Sequence, residues 1–424
     1  MTGLAANVKA RMRRRRHARR ARRKIRGSKT MNRFLRLTLG PWLARRYRVR
    51  TENLELVKRL RPPYLVLANH MCVWDPFFVN NFVPEVIHYV VSDANFRSKL
   101  VEFGLGLVGS IPKTKVMSDL ETVKNIMKVK EAGGIVGIFP EGQNTWDGHT
   151  MPMYFSTAKL AKFLRVPVVT ARIAGAYLSK PRWSKSRRRG RVTIRYDVAF
   201  TPEELRRATV EEIDTRIAKR LEHDEFEFNG VHRVPFVGTD RAEYAEIALF
   251  TCPQCLALST LRSEGNLLRC TECGYTVRYS LYGFFQPVSG ALRFDTMRSW
   301  NLWQAKELRR RLAEFVVTPD APPLFSEERV KVETGYKSMP LELYLIGRID
   351  LYPDRIELTA KHAEPERFPI AAIVGINVQN NERLEFYADE NLYRVTILDR
   401  RGCAYKWDLA VRTMQQLAAS SSVV

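Results

Sequence analysis

The chain has 424 residues, 45% of them hydrophobic, and carries 70 Lys and Arg against 45 Asp and Glu, a formal charge of +25. That length suits two or three domains at about 100 to 200 residues each, and the apolar content excludes a chain too polar to bury a core. No run of about 18 apolar residues occurs, which excludes a membrane-spanning helix, and the absence of an apolar signal core near the N-terminus leads us to expect a cytoplasmic protein.

Lys9 to Arg26 holds twelve Lys or Arg and no acid, about half of the excess charge. Residues 1–30 therefore read as a disordered basic tail whose partner is polyanionic, either a phospholipid surface or nucleic acid. Residues 31–50 follow as an amphipathic helix, with Phe34, Leu37 and Trp42 set among arginines. A cationic helix with such a face suits the headgroup boundary of a bilayer, and packing on a core is the competing reading.

From Tyr64 onward short apolar strands alternate with helical stretches. The strands are Leu65 to Ala68, Val86 to Val91, Ile135 to Phe139, Val168 to Ile173 and Val192 to Asp197; helices are expected over Asp119 to Ala132 and Ser156 to Leu164. This alternation predicts an α/β fold, a sheet flanked by helices, over residues 51–230. Thr201-Pro202-Glu203-Glu204 has the cap and first-turn proline of a closing helix.

Asn69-His70 and Asp75 stand at the end of the first of these strands. An imidazole can take a proton from a hydroxyl, and a carboxylate on its other ring nitrogen fixes the tautomer and stabilises the imidazolium. By itself such a pair is more often a satisfied histidine than a catalytic base. Three later blocks change its weight: Gly109-Ser110-Ile111-Pro112-Lys113-Thr114-Lys115, then Ile138-Phe139-Pro140-Glu141-Gly142, then Val166-Pro167-Val168-Val169 leading to Ile173-Ala174-Gly175. In this order the four blocks resemble the glycerolipid acyltransferase family, whose bacterial members include 1-acylglycerol-3-phosphate acyltransferase, over residues 50 to 220.

The resemblance implies that His70 is the general base on an acceptor hydroxyl, Asp75 its orienter, and Glu141 and Gly142 the floor of the acceptor site. An acyl thioester of coenzyme A or acyl carrier protein would be the donor. Cys72 lies between the pair, but its apolar neighbours mark it as a small buried residue. The family pattern places Thr and Arg after the glycine of the third block; here Gln143 and Asn144 follow Gly142, removing a bidentate phosphate clamp. Lys113 and Lys115 offer point charges instead, and the two amides offer hydrogen bonds, so the acceptor is read as a lysophospholipid or another hydroxylated lipid. The basic loop Lys180 to Arg191, with one tryptophan, is placed to touch headgroups.

Cys252-x-x-Cys255 and Cys270-x-x-Cys273, separated by fourteen residues, have the spacing of a structural zinc site. With all four thiolates used, the metal has no open position for catalysis, and residues 245–285 resemble a zinc ribbon. Residues 290–325 are read as a helical linker and 335–424 as a small, mainly-β domain that looks like a pleckstrin-homology barrel closed by a helix from Lys406. The whole is expected to be a peripheral O-acyltransferase on the cytoplasmic face of an anionic membrane. A nucleic-acid-binding zinc-ribbon protein explains the charge but leaves His70, Asp75 and the Phe139 to Gly142 block without purpose, so no nucleic-acid partner is expected. An inactive acyltransferase-like scaffold is the third reading.

Overall fold

The computed structural model describes residues 27–113, 120–318, 321–336 and 339–421. Lys115 and nearly all of the basic tail lie outside them. The chain divides into two compact units: one runs to Arg241 and takes in Ser280–Phe284, and the other comprises Ala242–Tyr279 and the chain from Phe285 onward.

The first unit is built on seven strands, β1 (Arg50–Glu52), β2 (Leu65–Ala68), β3 (Ile87–Ser92), β4 (Ile111–Lys113), β5 (Ile135–Ile138), β6 (Val168–Ala174) and β7 (Thr193–Phe200). Their order is β1-β7-β6-β2-β5-β3-β4. Every neighbouring pair is parallel except β6 with β7. Strand β2 occupies the centre, and all four of its residues, Leu-Val-Leu-Ala, are buried. A parallel strand covered on both faces demands such an unbroken apolar run.

Helices cover both faces: α1 (Lys29–Leu37), α2 (Leu39–Arg46) and α3 (Asp75–Asn80) near the start, α4 (Ser156–Leu164) and α5 (Val210–Leu221) later. Leu65, Leu67, Val136 and Val168 pack with Ala158, Ala161 and Leu164 of α4 and with Ile213, Ile217 and Leu221 of α5. The α5 residues recur every fourth position, the stripe that turns an amphipathic helix onto a sheet. Each fully buried Leu or Ile there contributes about 1.5–3 kcal/mol. The expected Thr201 cap is present: its hydroxyl accepts the Glu204 amide at 3.2 Å while Glu204 accepts the Thr201 amide at 2.8 Å, satisfying two donors that a helix start leaves open.

The segment read as one helix over 31–50 is two, α1 and α2, meeting at Thr38. Pro41, with no amide hydrogen, cannot continue the ladder of α1. The apolar residues also divide. Leu43 and Tyr47 are buried, whereas Phe34, Leu37 and Trp42 are 57%, 68% and 47% exposed. Tyr47 packs edge-on against Phe78 of α3 at 5.4 Å, and Asn80 of α3 donates to Asn32 of α1 at 2.7 Å. Among the described residues no helix is long and apolar enough to cross a membrane.

The second unit contains an antiparallel sheet of β8 (Leu261–Glu264), β9 (Leu267–Cys270), β10 (Thr276–Tyr279) and β11 (Phe285–Ser289), then α6 (Met297–Phe315). A seven-stranded antiparallel sheet follows: β12 (Ser326–Gly335), β13 (Glu342–Leu351), β14 (Arg355–Ala360), β15 (Glu366–Pro369), β16 (Val374–Gln379), β17 (Arg383–Ala388) and β18 (Asn391–Ile397). Their order is β15-β14-β13-β12-β18-β17-β16, and α7 (Ala404–Ser421) ends the chain's described part. Strand β13 runs without a break from Glu342 to Leu351.

Candidate active site

Strand β2 ends at Ala68 and delivers Asn69 and His70 to its C-terminal edge, the end where open α/β sheets build their sites. Asn69 is buried and bridges to β6, donating to the Ile173 carbonyl at 2.9 Å and accepting its amide at 2.7 Å. This locks the turn that carries His70. Asp75 opens α3 and is fully buried; its Oδ2 lies 2.9 Å from His70 Nδ1. The same oxygen accepts the Met71 amide at 2.6 Å and the Cys72 amide at 2.8 Å. A carboxylate held by main-chain donors cannot swing away, so Nδ1 is kept as the donor and Nε2 is left as the basic nitrogen.

The third block grips the histidine from the other side. The imidazole stacks on Phe139 with centroids 4.3 Å apart, and Phe139 stacks on Tyr89 of β3 at 5.6 Å. Gly137 makes room for that column, since a Cβ there would lie 2.6 Å from the Tyr89 ring. Glu141 Oε1 accepts the His70 amide at 2.6 Å and Oε2 the Met151 amide at 2.8 Å. The Thr145 amide donates to the His70 carbonyl at 3.0 Å. Burial pushes the Glu141 carboxyl up to about 8; the two amides pull it down and the Asp75 charge adds to the rise. Burial also pushes the Cys72 thiol well above its ordinary value, which leaves it protonated and unreactive near neutral pH.

Gly142 has φ +73°, and a Cβ on it would meet the Tyr154 ring at 2.6 Å. Only glycine fits that left-handed position. Lys113, at the end of β4, lies over the same Tyr154 ring at 5.5 Å, so the second and third blocks border one aromatic ring. Gln143 and Asn144 receive a cation from farther along the chain. Arg182 donates to the Gln143 side-chain oxygen at 3.2 Å and to the Asn144 carbonyl at 3.0 Å, and its guanidinium lies 3.9 Å from the centre of the Trp146 ring.

Arg182 belongs to the basic loop, whose part in the site was visible in sequence only as a run of charge. Other members of that loop, read from the sequence as touching headgroups, turn into the protein instead. Trp183 and Arg188 are buried. Trp183 donates to Tyr177 at 2.9 Å, and Tyr177 donates to the Trp146 carbonyl at 3.0 Å. Arg187 lies over the Trp74 ring at 5.4 Å. Behind the loop, buried Glu225 accepts the amides of Gly175 and Leu178 at 2.8 and 3.1 Å and sits 2.6 Å from His223, a constellation no local motif announced.

In the second unit the four sulfurs of Cys252, Cys255, Cys270 and Cys273 all lie within 4.8 Å of one another. Cys252 to Cys273 and Cys255 to Cys270 are each 3.7 Å apart. A tetrahedron with metal–sulfur bonds of about 2.3 Å has edges of about 3.8 Å, so the donor set fits a metal ion, and the separations are far beyond a disulfide bond.

Residues 48–174 match the family model described as Acyltransferase. A curated relative, the 1-acyl-sn-glycerol-3-phosphate acyltransferase of Bacillus subtilis, is 26% identical over 144 residues, covering 33% of this chain and 71% of that protein. Among solved structures, the 1-acyl-sn-glycerophosphate (LPA) acyltransferase PlsC from Thermotoga maritima is similar over 41% of this chain and 68% of its own, with 18% identity and a TM-score of 0.36.

Proposed function

We propose that the protein transfers a fatty acyl group from an acyl thioester, of coenzyme A or acyl carrier protein, to the hydroxyl of a lysophospholipid or related lipid, working as a peripheral enzyme on the cytoplasmic face of an anionic membrane. The observation that carries this reading is the 2.9 Å contact between His70 Nδ1 and an Asp75 carboxylate pinned by two amides. In the proposed step His70 Nε2 removes the acceptor's hydroxyl proton as its oxygen forms the new C–O bond. The C–S bond breaks, and the proton returns from His70 to the departing thiolate. A base is needed for the alcohol, worth about 100- to 10,000-fold, whereas a thiolate departs without strong acid help. No covalent enzyme intermediate is required, in keeping with the protonated, buried Cys72.

Gln143 and Asn144 follow the third block, whose Phe139 and Glu141 hold His70; with Arg182, which binds them, and Lys113 they are read as the contacts to the acceptor's polar head, with Lys115 an expected addition. Glu141, with both oxygens on main-chain amides, supports the floor from below. Phe34, Leu37 and Trp42 are read as the membrane-facing residues. The four-cysteine group is read as a structural zinc site, and the C-terminal antiparallel sheet with its closing helix as a pleckstrin-homology-like domain.

Thiol release from acyl-CoA and from acyl carrier protein, measured with a panel of lysolipids for the wild-type chain and His70→Ala, tests the reading. Release by the wild type alone supports it; no release with any acceptor from folded protein overturns it.

A further inference from the structure

On the sheet face opposite His70, a strand pair and a helix turn their cations toward one cavity. Arg172 of β6 and Arg195 of β7 are direct partners in the antiparallel pair, so their side chains leave the sheet on the same side. That side is set by register: Leu65 pairs with Val168, both pack under α4 and α5, and Arg172 follows Val168 by an even number of residues. Tyr89 pairs with Gly137 and therefore lies on the other side, together with the aromatic column under His70. From above Arg172, α5 contributes Arg216, Lys219 and Arg220, spaced so that they share one helix face. With Asp197 these five cations line a cavity of about 420 Å³.

The lining is not neutralised by the protein. Asp197 is shared between Arg195 at 3.4 Å and Arg220 at 3.9 Å, and Arg216 pairs with Glu204 at 2.9 Å. Arg172 and Lys219 face no carboxylate among the described ion pairs. Like charges placed directly opposite in an antiparallel pair destabilise it, and three more cations on a facing helix add to that cost. A polyvalent anion between them offsets the repulsion, and guanidinium groups on converging elements match phosphate oxygens bidentately.

We propose that this cavity is a binding site for a phosphate-bearing ligand, separate from the acceptor pocket at His70. Its volume lies within the range of about 300–1,000 Å³ typical of small-ligand sites. Two sources supply the same chemistry: the nucleotide phosphates of a coenzyme A donor, and the phosphate of an anionic lipid headgroup. The cavity opens on the far side of the sheet from the reacting hydroxyl. A headgroup bound there belongs to a lipid other than the one being acylated.

Calorimetric titration of the full chain with inorganic pyrophosphate tests the site without reference to turnover. The wild type is expected to bind saturably, and Arg172→Gln with Arg195→Gln to bind about tenfold or more weakly. Removing the same charge from the exposed Lys58 and Arg59 should leave binding unchanged. Lys219→Gln, which alters one exposed side chain of α5, serves if the double variant does not fold, and it should also weaken binding. Absence of saturable binding by the wild type, or equal loss in the Lys58/Arg59 control, overturns the proposal. Competition by free coenzyme A assigns the site to the donor, and competition by vesicles of phosphatidylglycerol assigns it to a headgroup. Competition by neither refutes both assignments.

Discussion

Glu141 accepts the main-chain amide of His70 at 2.6 Å, so the third sequence block fixes the backbone on which the first block carries its imidazole. The carboxyl is raised to about 8, chiefly by burial, from an ordinary 4.5. A carboxyl raised on folding contributes stability that is complete below its unfolded value and is lost as pH climbs toward its folded value. Thermal unfolding of the wild type should therefore show a midpoint that falls between about pH 5 and 8. Glu141→Gln should flatten that fall while lowering the midpoint overall, because the glutamine NH2, a donor, must face one of the two main-chain N–H groups that the carboxyl oxygens accept. A wild-type midpoint that rises over this range contradicts the assignment.

Asp75→Asn should lower turnover by about 100- to 10,000-fold. The asparagine carbonyl oxygen can take the place of Oδ2 on the Met71 and Cys72 amides and still accept from Nδ1, but it carries no charge to stabilise the imidazolium that forms as the hydroxyl proton is taken. Steady-state thiol release combined with circular dichroism checks this, since a folded variant with undiminished kcat contradicts the pairing.

Arg182 stacks on Trp146 and holds Gln143 and Asn144. Arg182→Lys keeps the charge but loses the planar fork, and is expected to raise KM for an anionic lysolipid about tenfold with a smaller change in kcat. A variant with the wild-type KM would remove Arg182 from the acceptor's surroundings.

The cluster of Cys252, Cys255, Cys270 and Cys273 predicts one zinc per chain by elemental analysis. Metal present at about a thousandfold excess over its dissociation constant stabilises by about 4 kcal/mol, so a chelator should lower the unfolding midpoint and added zinc restore it. Cys270→Ser should abolish both the bound metal and the response.

Phe34→Asp with Leu37→Asp removes two exposed apolar groups without touching the core. Each contributes about 1.5–3 kcal/mol when buried in an apolar phase, so partition onto anionic vesicles should fall at least tenfold with the thermal midpoint unchanged. Equal partition of variant and wild type would assign the membrane contact elsewhere.

Elements with a strong period were legible before the fold was known. Leu65–Ala68 and Ser156–Leu164 fall where an apolar run and a helical stripe place them. Strand β12 was not legible. It lies inside the C-terminal sheet between β13 and β18, yet in Ser-Glu-Glu-Arg-Val-Lys-Val-Glu-Thr-Gly only Val330 and Val332 supply buried aliphatic side chains, too short an alternation to separate from a charged loop. The site divides the same way. His70 and Asp75 are five residues apart and their chemistry reads locally. The Glu141 bond spans 71 residues and the Arg182 bond 39, and a contact closed only by the sheet leaves no periodic trace in the chain.

The seam between α1, α2 and α3 bears on how this protein can be trimmed. Asn32 is tied to Asn80, and Tyr47 is wedged on Phe78; a Cβ on Gly40 would overlap the Asn81 side chain at 1.8 Å. The segment bearing Phe34 and Trp42 is thus a cornerstone of the wall that holds Asp75, and a shortened chain beginning at residue 50 would lose that wall along with its greasy outer face.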